Sequence, residues 1–73
     1  MEETIGSRIK KLRAEKEMTQ DDLARKAEIP NATLMKIEND TVKNPTINTL
    51  KKIASALNVT IDLLVSGKNE YDN

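Results

Sequence analysis

Ile29-Pro30 interrupts a helical pattern that restarts at once, and this break constrains the fold more than any other feature of the chain. Proline has no N–H and its ring clashes with the preceding turn, so it is excluded from a helix interior but tolerated in a first turn. Pro30 therefore starts a helix, expected over residues 31–39, in which Leu34 and Ile37 recur as one buried stripe. Asn31, Ala32, Thr33, Met35 and Lys36 are left on its outer face. Ahead of the break, Leu23, Ala24 and Ala27 form the inward side of another short helix ending near Ala27. Thr19 is its N-cap: the run Thr19-Gln20-Asp21-Asp22 sets a carboxylate three residues after a capping hydroxyl, and both acids suit the positive end of the helix dipole. Helices of only about two turns are unstable alone, so tertiary contacts must hold both.

The remaining punctuation predicts three more helices. Ile5, Ile9 and Leu12 recur at helical spacing, predicting a first helix over 5–17, started by Thr4 or Gly6-Ser7, with Met18 as an apolar anchor after it. Residues 40–45 read as a loop. Thr46 caps a fourth helix over 47–57 with Ile47, Leu50, Ile53, Ala54 and Leu57 inward. Val59 and Thr60 read as staple residue and N-cap of a short fifth helix over 61–65, ended by Ser66-Gly67. No alternating apolar pattern predicts a strand. The expected fold is all-α: one domain over residues 1–73, with a five-helix core over about 5–65 and a polar, flexible tail over 66–73.

Composition narrows the chemistry. A chain of 73 residues buries only about 60% of its unfolded surface, and with no cysteine it has no disulfide to compensate. With no histidine either, it lacks the usual general base, the Ser-His arrangement and most zinc sites, and it has no glycine-rich phosphate loop. No enzymatic activity, metal or cofactor is expected. The longest apolar run is Leu63-Leu64-Val65, far short of the roughly 20 residues that span a bilayer. The start, Met1-Glu2-Glu3, is not a signal peptide, so a cytoplasmic location with no membrane contact is expected. Twelve basic and twelve acidic side chains cancel. That balance counts against nucleic-acid binding, although Arg8, Lys10, Lys11, Arg13 and Lys16 cluster near the start and make a local basic surface conceivable.

Two short helices joined by the turn Glu28-Ile29-Pro30 follow the helix-turn-helix plan, in which one helix braces on the phosphate backbone and the next enters the major groove. "TQDDLA" at the second helix, "TLMKIEN" in the third, "PTINTLKKIASAL" and "VTIDLL" together resemble the lambdoid phage repressor/Cro-type helix-turn-helix domain, the Xre family, over residues 5–64. The resemblance implies a compact five-helix fold of the lambda-repressor type. It also implies a sequence-specific DNA-binding transcriptional regulator, a repressor that binds a short palindromic operator in double-stranded DNA as a homodimer. Carried over position by position, it implies that Asn31, Ala32, Thr33 and Lys36 face base edges. Asn can pair with adenine, Lys can donate to guanine, and the methyls of Ala and Thr can touch a thymine methyl. It implies phosphate contacts from Thr19 and Gln20 at a helix N-terminus and from Asn39 and Lys43 in the following loop. It further implies a structural ion pair between Arg13 and Glu38. Ile61, Leu64 and Val65, with parts of the fourth helix, are the expected dimer interface, because a short terminal helix rarely buries all its apolar surface.

Four positions depart from the family pattern. Glu28 stands where the turn usually has Gly, and a left-handed backbone there would strain a non-Gly residue by about 1 kcal/mol or more. Pro30 replaces the usual Ser or Thr cap, Asp40 replaces a Gly, and Met35 replaces a small polar residue on the exposed face. Zero net charge together with Glu28 and Asp40 supports a second reading: a protein-interaction module of the same fold, such as an antitoxin or a partner-binding regulator.

Overall fold

The computed structural model describes residues 3–68; of the flexible tail expected over 66–73, Ser66 is instead the last residue of α5, and residues 69–73 lie outside the described ones. Among the described residues there are five helices and no strand: α1 (Ile5–Glu15), α2 (Gln20–Ala27), α3 (Asn31–Glu38), α4 (Ile47–Leu57) and α5 (Ile61–Ser66). α2 packs against α3 and α4, α1 against α3 and α5, and α4 against α5. Ile9, Leu23, Leu34, Ile37, Ile53, Leu57 and Leu64 are wholly enclosed between them.

One turn design recurs at three of the four junctions. α1, α2 and α4 each run out into a left-handed residue that is not glycine: Glu17 (φ 55°), Glu28 (φ 58°) and Asn58 (φ 58°). An apolar residue follows each time, Met18, Ile29 or Val59, and packs on the core. Its N–H donates to a carbonyl five residues back: Met18 to Arg13 (3.1 Å), Ile29 to Ala24 (3.0 Å) and Val59 to Ala54 (2.9 Å). This satisfies carbonyls that a helix end would otherwise leave open. The third residue, Thr19, Pro30 or Thr60, is the extended N-cap of the next helix. The chain thus reverses through three residues while still burying one side chain in each turn.

The capping signals operate as their chemistry requires. Thr4 and Ser7 form a reciprocal capping box on α1, so Thr4 and not Gly6-Ser7 starts that helix. Thr19 and Asp22 form another on α2. The Thr46 and Thr60 hydroxyls accept from the N–H groups of Thr49 and Leu63. Pro30 offers no side-chain cap to α3.

Four expectations need correction. α1 stops at Glu15, two residues short of the predicted end, because Glu17 must turn left-handed to swing Met18 inward. Ile47 does not face the core: it is the first residue of α4, beyond the reach of the neighbouring helices, and is 60% exposed. Leu64 cannot form a subunit interface, because it is fully enclosed in the chain's own core; Ile61 is half-buried and Val65 is 48% exposed. The N-terminal basic cluster is smaller than its sequence implies. Arg8 donates to the carbonyls of Leu64 (2.8 Å) and Val65 (3.0 Å), closing the end of α5, and Arg13 is engaged internally as described below.

Candidate nucleic-acid interface

α2 and α3 set the geometry of the outer surface. Successive helical side chains turn by about 100°. Leu34, Ile37 and Glu38 are buried, so the opposite, outward direction of α3 falls between Ala32 and Lys36, with Met35 beside Ala32. Asn31 and Thr33 lie toward the flanks of this face. Asn31, Ala32, Met35 and Lys36 are exposed and Thr33 is half-covered. The four residues expected to read bases are therefore brought onto one accessible surface, and α3 is pressed to the domain by its opposite side.

A polar clamp beneath α3 fixes its far end. Glu38 is only 4% exposed. The Arg13 guanidinium holds it bidentately, Nε donating to Oε2 at 2.8 Å and Nη2 to Oε1 at 3.0 Å. Arg13 Nη1 also donates to the Met18 carbonyl at 2.9 Å. Gln20 Nε2 donates a further bond to Glu38 Oε1 at 3.0 Å. A buried carboxylate is tolerated only when paired and hydrogen-bonded, and Glu38 is both. One carboxylate thus ties together α1, the turn after it, the first residue of α2 and the end of α3. The Arg13–Glu38 pair expected from the sequence is present; the third arm from Gln20 was not foreseen. That arm also turns part of the Gln20 amide inward.

The N-terminus of α2 is strongly capped. The Asp22 N–H donates to Thr19 Oγ1 and the Thr19 N–H to Asp22 Oδ2, both at 3.0 Å. The bond from the Thr19 backbone holds the Asp22 carboxyl below the usual carboxylate range. Asp21 pairs with Arg25 one turn on. After α3, Asn39 Oδ1 accepts from the Thr41 N–H at 3.0 Å, and the Val42 N–H donates to the Lys36 carbonyl at 2.9 Å. Asp40 there is left-handed (φ 65°), a conformation that Asp tolerates better than most residues. Asn39 and Lys43 are exposed on this loop.

Sequence reasoning missed Gly6. A β-carbon at that position would lie 2.1 Å from the Ile37 carbonyl oxygen and 2.8 Å from Asp40 Oδ1. Only glycine lets α1 approach the end of α3 this closely. The one local signal was a glycine inside an amphipathic helix, which costs about 1 kcal/mol against alanine but does not say what it packs against.

The comparisons agree with this arrangement. The helix-turn-helix family matches residues 9–64. The chain is 40% identical over 62 residues to the immunity repressor protein of Bacillus phage phi105, covering 85% of this chain and 42% of that protein. It is 38% identical over 68 residues to the HTH-type transcriptional regulator SinR of Bacillus licheniformis, covering 93% of this chain and 61% of that protein. It therefore spans less than two thirds of either curated relative. Among solved structures, one of SinR, a master regulator for biofilm formation, in complex with DNA superposes with a TM-score of 0.81 at 38% identity. That match covers 84% of this chain and 97% of the other.

Proposed function

The chain belongs to the helix-turn-helix family of the phage-repressor (Xre) type, and from that premise we propose that it is a sequence-specific DNA-binding repressor that lays α3 in the major groove. The observation that carries this reading is the outward face of α3. Asn31, Ala32, Thr33 and Lys36 share it, its opposite side is buried, and its far end is held by the Arg13–Glu38–Gln20 clamp. Fixed orientation is what base reading requires, because a hydrogen bond discriminates bases only where the donor is already positioned. Thr19 and Gln20 at the start of α2, and Asn39 and Lys43 on the loop after α3, flank that face and serve as the backbone contacts that set register.

One recognition helix of this size distinguishes too few base pairs for a unique site, so the protein acts as a homodimer on two half-sites about one helical turn apart. Val65 and the exposed edge of Ile61 are the interface residues that remain once Leu64 is withdrawn into the core. On this reading the protein works in the cytoplasm, beside the DNA it binds. No helix among the described residues is long and apolar enough to cross a membrane.

Selection from random duplexes at low salt tests the reading: an enriched, two-fold symmetric site is expected, and the absence of any enriched site overturns it. The exposure of Ile47 and Val65 favours a second, compatible reading, in which the same domain docks a protein partner. A partner that binds without disturbing the amide resonances of residues 31–36, in a protein that enriches no duplex, would replace the first reading with the second.

A further inference from the structure

We propose that Met35 is a specificity-determining residue that reads the 5-methyl group of a thymine. The inference rests on the placement of α3 in the major groove given above. It begins from a mismatch between side chain and location. Met35 is 48% exposed in the middle of a helix whose core-facing side chains, Leu34 and Ile37, are 0% and 1% exposed. It plays no part in the core. It lies beside Ala32 on the outward face, between Ala32 and Asn31 around the helix. Met35 and Ala32 therefore form an apolar strip on this face, with the Lys36 ammonium on one side and the Asn31 amide on the other.

The chemistry of the groove narrows what such a strip can meet. Major-groove edges offer hydrogen-bond donors, acceptors and one apolar group, the thymine methyl. A thioether makes no useful hydrogen bond there and gains most against a methyl that also leaves water. Reach is available as well. Long helical side chains lean toward the helix N-terminus and cover the preceding turn. Met35 therefore extends over Asn31 and Ala32, the end of α3 that enters the groove first. Ala32 is too short to contact more than the base beneath it, whereas the unbranched Met35 side chain can reach the neighbouring step.

The test uses a duplex recovered by random selection with the wild-type protein. Each thymine of that site is replaced in turn by deoxyuridine, which removes only the methyl, and affinity is measured for wild type, Met35→Ala, Met35→Gln and Met35→Leu. At one position the replacement should weaken wild type by about 3- to 5-fold, the worth of one buried methyl. Met35→Leu should keep that dependence, and Met35→Ala and Met35→Gln should lose it. Binding to unrelated duplex should be the same for all four proteins, since no charge is removed. Equal uracil penalties in wild type and both Met35→Ala and Met35→Gln overturn the assignment while leaving the DNA-binding reading intact. Failure of the wild type to enrich any site overturns both.

Discussion

Arg13 and Glu38 are joined across α1 and α3 by two hydrogen bonds of 2.8 and 3.0 Å, with the Glu38 side chain 1% exposed. The pair is a connection more than a source of net stability, since desolvating two charges offsets most of their attraction. Breaking it is another matter. Arg13→Ala leaves a buried carboxylate with only the Gln20 amide, and should cost about 3–5 kcal/mol. A two-state urea titration will show the loss as a lowered midpoint. Replacing both partners by apolar residues of similar volume should recover most of it. A small loss for Arg13→Ala would mean that Glu38 is not held as described.

Gly6 closes the same contact from the other side. A methyl at that position meets the backbone oxygen of Ile37, which cannot rotate away. Gly6→Ala should therefore destabilise by about 3 kcal/mol or more, at the upper end of overpacking costs. Alanine normally stabilises a helix relative to glycine, so the sign of the effect is diagnostic. Lys10→Ala, on the exposed side of α1, is the control and should stay within about 0.5 kcal/mol of wild type. Thermal and urea melts of both variants decide the point.

These two sites also mark the limit of what the sequence discloses. Caps at Thr19, Thr46 and Thr60 and the break at Pro30 are legible because each depends on its immediate neighbours. The outward set on α3 is legible from the buried stripe of Leu34 and Ile37, and the Arg13–Glu38 pair through resemblance to a family. Gly6 is not, because its requirement arises from a backbone 31 residues away (Gly6 to Ile37). Left-handed Glu17 is hidden as well, since no glycine announces it and only the packing of Met18 demands it. α5 misleads for a further reason. Ile61, Leu63, Leu64 and Val65 are all apolar, so periodicity cannot say that Leu64 turns inward and Val65 outward.

Glu28 carries strain at the turn that aims α3. Its left-handed backbone (φ 58°) costs an L-residue about 1–2 kcal/mol, part of which glycine would offset with its own greater loss of freedom on folding. Glu28→Gly should therefore stabilise the domain by about 0.5–1 kcal/mol, seen as a rise of several degrees in melting temperature. Asn58→Gly sits in the equivalent turn after α4 and should gain less, because asparagine already tolerates this conformation. Equal gains at the two positions would show that side-chain identity does not set the strain.

The α2 cap makes stability depend on pH with a definite sign. The Thr19 N–H, and then its hydroxyl, hold the folded Asp22 carboxyl below its ordinary value of 3.8. A carboxylate with a depressed pKa contributes stability that is fully present above the unfolded value. That contribution is lost as pH falls from about 3.8 through the lower folded value. Asp22→Asn should thus be less stable than wild type at neutral pH, and the two urea midpoints should converge on acidification below pH 3.8. Parallel curves down to the lowest pH at which the domain remains folded would exclude this role for the Asp22 charge.

The internal use of two arginines sets an expectation for binding to DNA in salt. Arg8 Nη1 closes α5 through the carbonyls of Leu64 and Val65, and Arg13 is committed to Glu38, so both guanidiniums are drawn into internal bonds. Cations around α3 then come from lysine, chiefly Lys36 on its outward face and Lys43 on the following loop. Each phosphate neutralised adds about 0.9 to the slope of log affinity against log salt. Lys43→Ala should lower that slope by about one and weaken selected and unrelated duplexes alike. Lys36→Ala should instead relax base preference at one position of the selected site, if the exposed ammonium reads a base edge as proposed. An unchanged slope for Lys43→Ala would move the backbone contact to the Asn39 amide, whose loss changes affinity without releasing a counterion.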